Sequence, residues 1–203
     1  MKLEGQKSKP AFVDPAYAAP DMYPDEAREN KPKTTELSGF EVGDYVVYPA
    51  HGAGQVLAIE NQTVAGASLE LFVIYFERSK MTLRVPTRKA TSVGMRRLSD
   101  THATGHVRVT LSQRPIKARG NWSRLAQDYE SKINSGDIVA LAEVVRDLFR
   151  PAQNSGQSFS ERQLYATALD RLSGEVALVD GITEQEAVKK LEALLLEGSK
   201  RGV

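Results

Sequence analysis

Trp122 is the single tryptophan of this 203-residue chain. It follows a stretch dominated by cations: residues 78–119 hold 11 basic and 1 acidic residues, whereas residues 40–77 hold 5 acidic and none basic. An indole at a helix start can project as a wedge against nucleic acid, unstacking a base step from the minor-groove side. Arg124, two residues on, could reach a flanking phosphate. Burial is the competing reading. Leu125, Tyr129 and Ile133 follow at three, seven and eleven positions and place Trp122 on an apolar helical stripe. Spacing alone favours the core.

The cations themselves admit two readings. Arg88, Lys89, Arg96, Arg97, Arg114, Lys117 and Arg119 could in part face phosphates, with affinity falling steeply as salt rises. They could equally pair with acids elsewhere in the fold, because a run in sequence need not become a patch. The net charge is only +1, and residues 120–203 carry 10 basic and 13 acidic residues. Any binding to free DNA is therefore expected to be weak and non-specific.

Other chemistry is poorly supported. His102 and His106 are four apart and could share a metal on a helix, but no third ligand is near in sequence. The absence of cysteine excludes disulfides and thiolate metal sites and suits a reducing cytoplasm. There is no phosphate loop, Gly-x-Ser-x-Gly or His-Glu-x-x-His motif. Asp100, Thr101 and His102 stand without a recognisable partner. No catalytic residue, cofactor or metal is expected. No apolar run is long enough to cross a bilayer, and MKLEGQKSKP lacks the apolar stretch of a signal peptide. A cytoplasmic protein with no membrane association is expected.

The elements that must position these residues are readable in outline. Residues 1–38 contain five of the nine prolines and no apolar period, predicting a disordered tail. Phe12, Tyr17, Met22 and Tyr23 could form a short binding motif within it. From Val42 to Tyr48 the chain is rich in β-formers, and Pro49 should end the strand. Gly52 and Gly54 are expected to supply positive φ for the reversal, before Val56, Leu57 and Ile59 resume. Leu69–Phe76 and Met81–Pro86 read as further strands. Four or five strands in under sixty residues suggest a small closed or half-open barrel.

Residues 99–120 are ambiguous between strand and helix, and the remainder is helical. Asn121 and Asp137 are candidate N-caps, with Ile138, Leu141, Val145 and Leu148 on one face. Ser160 with Gln163 and Thr183 with Glu186 read as capping boxes, with Phe159 and Leu164 placed as a staple. Leu191, Leu194 and Leu195 should end a last helix before Gly198.

The segment VGDYVVYPAHGAGQV, followed by Leu83-Arg84-Val85-Pro86, Asn121-Trp122-Ser123-Arg124 and Ala142-Glu143-Val144-Val145-Arg146-Asp147-Leu148, resembles the CarD/CdnL family of bacterial transcription regulators. The likeness runs from about Phe40 to Leu178 and does not cover the tail. It implies an α+β, two-domain fold: a Tudor-like β-barrel over residues 39–98 that binds RNA polymerase, then a compact helical bundle over 99–203 that meets DNA; the disordered tail over 1–38 is expected from composition alone. The likeness favours a short helix within 99–120.

By the same resemblance, Arg84 contacts the polymerase β subunit, with Gln62 and Pro86 beside it. Gln62 stands where relatives can carry a second arginine, a departure that puts that contact in doubt. Trp122 would insert at the upstream edge of the melted promoter, with Arg124, Arg162 and Arg119 at the DNA. The expected protein is a monomer bound to polymerase, and through it to the nucleoid. The alternative is a protein–protein adaptor with Trp122 in the core and no DNA contact.

Overall fold

The computed structural model describes residues 39–64, 66–116, 120–151 and 156–200. The tail expectation over 1–38 and the candidate Arg119 lie outside the described residues.

Five antiparallel strands come first: β1 (Tyr45–Tyr48), β2 (Gly52–Val64), β3 (Ala67–Phe76), β4 (Met81–Pro86) and β5 (Arg96–Arg97), in the order β4-β3-β2-β1-β5. A 3-10 turn, Thr87–Lys89, follows β4. Alternation puts Val46, Val56, Phe72, Ile74, Phe76 and Val85 on one face. They are buried there with Phe40, Ala90 and Met95. Gly52 reverses the chain after Pro49 with φ of 80°. Gly54 does not share that role. It lies inside β2, and its buried position serves close packing: a Cβ there would stand 2.8 Å from the Phe76 ring. An irregularity between Val56 and Ala58 bends β2 across the sheet.

The sheet is open, which corrects the expectation of a closed barrel. β4 and β5 are its two edges. β5 has only two residues, and both pair with β1. β4 ends on a proline that offers no donor. There is too little strand at the seam to close it.

Five helices complete the fold: α1 (Thr101–Leu111), α2 (Trp122–Ile133), α3 (Ile138–Leu148), α4 (Phe159–Asp180) and α5 (Glu184–Lys200). Within the ambiguous stretch Thr101–Leu111 is thus helical, started by Asp100, whose side chain accepts from Ala103 N at 2.7 Å. Asn121 and Asp137 cap α2 and α3 as expected, and Thr183 with Glu186 forms the box before α5. The box before α4 is Ser158 with Glu161, not Ser160 with Gln163. A carboxylate at the helix N-terminus gains from the dipole as well as the hydrogen bond, which a glutamine cannot match. α4 therefore starts at Phe159, which is 74% exposed and forms no staple. Gly198 falls inside α5, where the helix backs onto the Leu111 and Gln113 carbonyls.

The helical core gathers Val107, Leu111, Tyr129, Ile133, Leu141, Val145, Leu172, Leu191 and Leu195. All described residues fall in one compact unit, so sheet and helices pack together around two apolar clusters.

Candidate functional site

On the sheet, Arg84 is opposite Val73, which is opposite Ala58. Pro86 is opposite Leu71, and Leu71 opposite Glu60; Gln62, two residues along β2, faces Leu69. Directly paired residues project to the same side, so Arg84, Pro86 and Gln62 share the face turned away from Phe72 and Ile74. Arg84 and Gln62 are exposed, and Pro86 is half-buried. Arg84 Nε donates to Glu60 Oε2 at 3.3 Å, both side chains being well exposed. A surface pair of this kind contributes little and leaves the guanidinium open to exchange its carboxylate for another.

Trp122 is the first residue of α2, set by the Asn121 cap, whose Oδ1 accepts from Ser123 N at 2.9 Å. Tyr129 and Ile133 further along the stripe are buried, while Leu125 and Trp122 are only half-buried against the helical core. The indole is thus partly covered by the core and partly open to solvent. Arg124, third in α2, and Arg162, fourth in α4, are exposed and make no ion pair among the described residues. The residues gathered by the sheet and those gathered by the helices form two sites rather than one.

Sequence reasoning missed a buried ion pair at the end of α3. Arg146 and Asp147, adjacent at the end of α3, are both buried. Asp147 Oδ1 accepts from Arg146 Nε at 2.8 Å and from Ile116 N at 2.9 Å, and Arg146 Nη1 donates to Gln113 Oε1 at 3.2 Å. The pair fastens the exit of α1 onto α3. Burial raises the Tyr129 phenol pKa, with the Asp147 charge adding to it. The available signal was an Arg-Asp dipeptide inside an otherwise apolar helix, where a charge is kept only with partners.

The basic segment does not become one patch. Arg78 pairs with Asp170 and Glu184, Lys80 with Glu77, Arg84 with Glu60, Arg96 with Glu175, Arg97 with Asp44 and Arg108 with Asp180. Of the cations counted in sequence among those that could meet phosphates, Arg96 is engaged inside the fold, while Arg97, 62% exposed, holds Asp44 at the surface. Arg88, Lys89 and Arg114 remain exposed without an ion pair among the described residues. His102 and His106 meet edge-on, centroids 4.5 Å apart, and no three His, Asp or Glu side chains among the described residues cluster as a metal site. No described helix is long and apolar enough to cross a membrane.

Residues 40–99, the sheet with its two open edges, match the family model described as CarD-like/TRCF RID domain; residues 106–192 match CarD, C-terminal domain. A Bacillus subtilis (strain 168) protein named "Putative transcription factor YdeB" is 33% identical over 147 residues, 72% of this chain and 96% of the relative. The chain belongs to the CarD/CdnL family. The CarD family is one of RNA-polymerase-binding transcription regulators rather than enzymes. The CarD-like match is to a polymerase-interacting domain, and it contains Arg84, Gln62 and Pro86. The CarD C-terminal match contains Trp122, Arg124 and Arg162.

Proposed function

We propose that this CarD-family protein binds the RNA polymerase β subunit through the outer sheet face of residues 39–98 and promoter DNA through the helices of residues 99–203. Arg84 supplies the ion pair to polymerase, with Gln62 and Pro86 at the rim. Trp122 acts as a wedge at the upstream edge of the bubble, and Arg124, Arg162 and Arg119 meet flanking phosphates. Contact with DNA is weak and non-specific by itself. Tethering to polymerase raises its local concentration, and a single copy suffices. Contacts made only in the open complex shift the equilibrium towards it; a differential of about 1.4 kcal/mol raises the open-to-closed ratio tenfold. The observation that carries this reading is the half-open Trp122 at the first turn of α2, in one compact unit with an outward-facing Arg84.

Open-complex lifetime on a promoter that melts unstably, with cognate polymerase, tests it. Wild type should lengthen the lifetime. Trp122→Ala should lose that effect while still binding polymerase, and Arg84→Glu should lose both. A Trp122→Ala variant with full effect sinks the wedge.

A second reading, a protein–protein adaptor without DNA contact, is favoured by the packing of Trp122 on the helical core and by the internal pairing of cations. Blue-shifted emission protected from acrylamide would support the adaptor; red-shifted, quenchable emission supports the wedge.

A further inference from the structure

Three arginines bridge the sheet and the helices. Arg96 of β5 meets Glu175 of α4 through both fork nitrogens, Nη1 to Oε1 at 2.7 Å and Nη2 to Oε2 at 2.9 Å. The Glu175 side chain is only 3% exposed. Its Oε1 also accepts from Ser99 N at 3.0 Å, and Arg96 Nε donates to the Gly136 carbonyl between α2 and α3. Arg171 of α4 reaches the other way, into the β1–β2 turn. Its Nη1 donates to Pro49 O at 2.7 Å and its Nη2 to Ala50 O at 2.8 Å. The same guanidinium holds the end of α2 through Ile133 O at 3.0 Å and Asn134 Oδ1 at 3.0 Å. Arg78, after β3, meets Asp170 and Glu184 at the surface.

The position of these bonds matters more than their number. Arg171 binds the C-terminal end of α2, the helix whose first residue is Trp122. Arg96 binds the loop just beyond it. Both also bind the sheet that carries Arg84. The joint adds directional forks to apolar contact among Val47, Pro49, Ile133 and Leu141, so it fixes an angle as well as a contact.

We infer that Arg96, Glu175 and Arg171 form a clasp that sets the orientation of α2 against the sheet, and are positioning residues for coupling the two contacts. This rests on the proposed function. A protein that holds polymerase with one face and DNA with another gains from the second contact only as far as the joint presents it at the right place. A loosened joint leaves each contact intact and lowers the effective concentration of one for the other.

The chain has no cysteine, so spin labels can be introduced as Lys89→Cys on the sheet half and Asp128→Cys on α2, both exposed. Distances between them would be measured by pulsed electron resonance in wild type, Arg96→Met with Glu175→Gln, Arg96→Lys, and Arg171→Gln. The Arg96→Met/Glu175→Gln pair removes both charges together and so avoids stranding a buried carboxylate.

The distance distribution should be narrow in wild type, broad in the double variant and in Arg171→Gln, and intermediate in Arg96→Lys, which keeps the charge but not the fork. Open-complex lifetime should fall in the same order, by about tenfold for the double variant, the scale expected when tethering geometry is lost. Polymerase binding should match wild type throughout. A broad distribution with wild-type lifetime overturns the inference, as does a distribution that none of the variants changes. If the double variant does not fold, Arg171→Gln is read by the same criteria. If Trp122→Ala leaves the lifetime unaltered, the proposed function fails, and the distance distribution decides the clasp by itself.

Discussion

At the scale of residues, burial decides what each polar group can do. Tyr165 lies on α4 against Phe149, ring centroids 6.2 Å apart. Burial, and then the Glu192 charge, push its phenol up to about 12 from 10.0. Folding therefore favours the protonated phenol. This contribution is fully present below pH 10 and is lost as pH rises through about 12, since the unfolded chain releases the proton first. A spectrophotometric titration of the tyrosines should show a late phase with a midpoint near 12 that disappears in Tyr165→Phe. Its persistence would assign the shifted phenol elsewhere. His51, at the β1–β2 turn, is pulled the opposite way: burial and then the nearby Arg171 lower its pKa. The imidazole beside the clasp therefore stays neutral to more acid pH than a free one.

At the scale of elements, close approach rather than propensity sets several positions. Gly54 in β2 faces Phe76, and an added Cβ would also lie 2.9 Å from the Tyr75 carbonyl. Gly54→Ala should destabilise the protein by about 1–3 kcal/mol, the cost of overpacking a filled core. Chemical denaturation would measure it; a change below about 0.5 kcal/mol, the range of ordinary surface substitutions, would show that the strand can move aside. The sequence reads Gly54 as a turn glycine because it follows Gly52 by two residues. Only the pairing of Val46 with Gly54 places it within the ladder. The caps at Asn121, Asp137 and Thr183 were legible because each depends on local side-chain chemistry. Ser158 was harder, because Ser158 and Ser160 both sit three residues before a Glu or Gln.

At the scale of the molecule, the charge segregation along the chain is largely consumed by folding. Six of the cations in residues 78–119 pair with acids within the fold. Affinity for a duplex should therefore depend on salt with a slope of about −3 to −6, as expected if Arg114, Arg124 and Arg162, with at most Arg88, Lys89, Lys117 and Arg119, meet phosphates. Anisotropy titrations of a labelled duplex across salt concentrations would give it. A slope near −10 would mean that the whole basic segment engages, against its internal pairing.

The sequence alone determined strands β1 to β4 in outline, the N-caps at Asn121, Asp137 and Thr183, and the motifs that resemble the CarD/CdnL family. Each rests on chemistry within a few residues of itself, so the local chain suffices to read it. Tertiary structure decided whether the sheet closes, which cations remain exposed, and how far Trp122 is covered. It also joined Arg96 to Glu175 and Asp147 to Ile116. Those outcomes depend on groups that are dozens of residues apart and meet only after the chain has folded. A charge run or an apolar stripe names the candidates, and the partner across the fold decides which of them stay available.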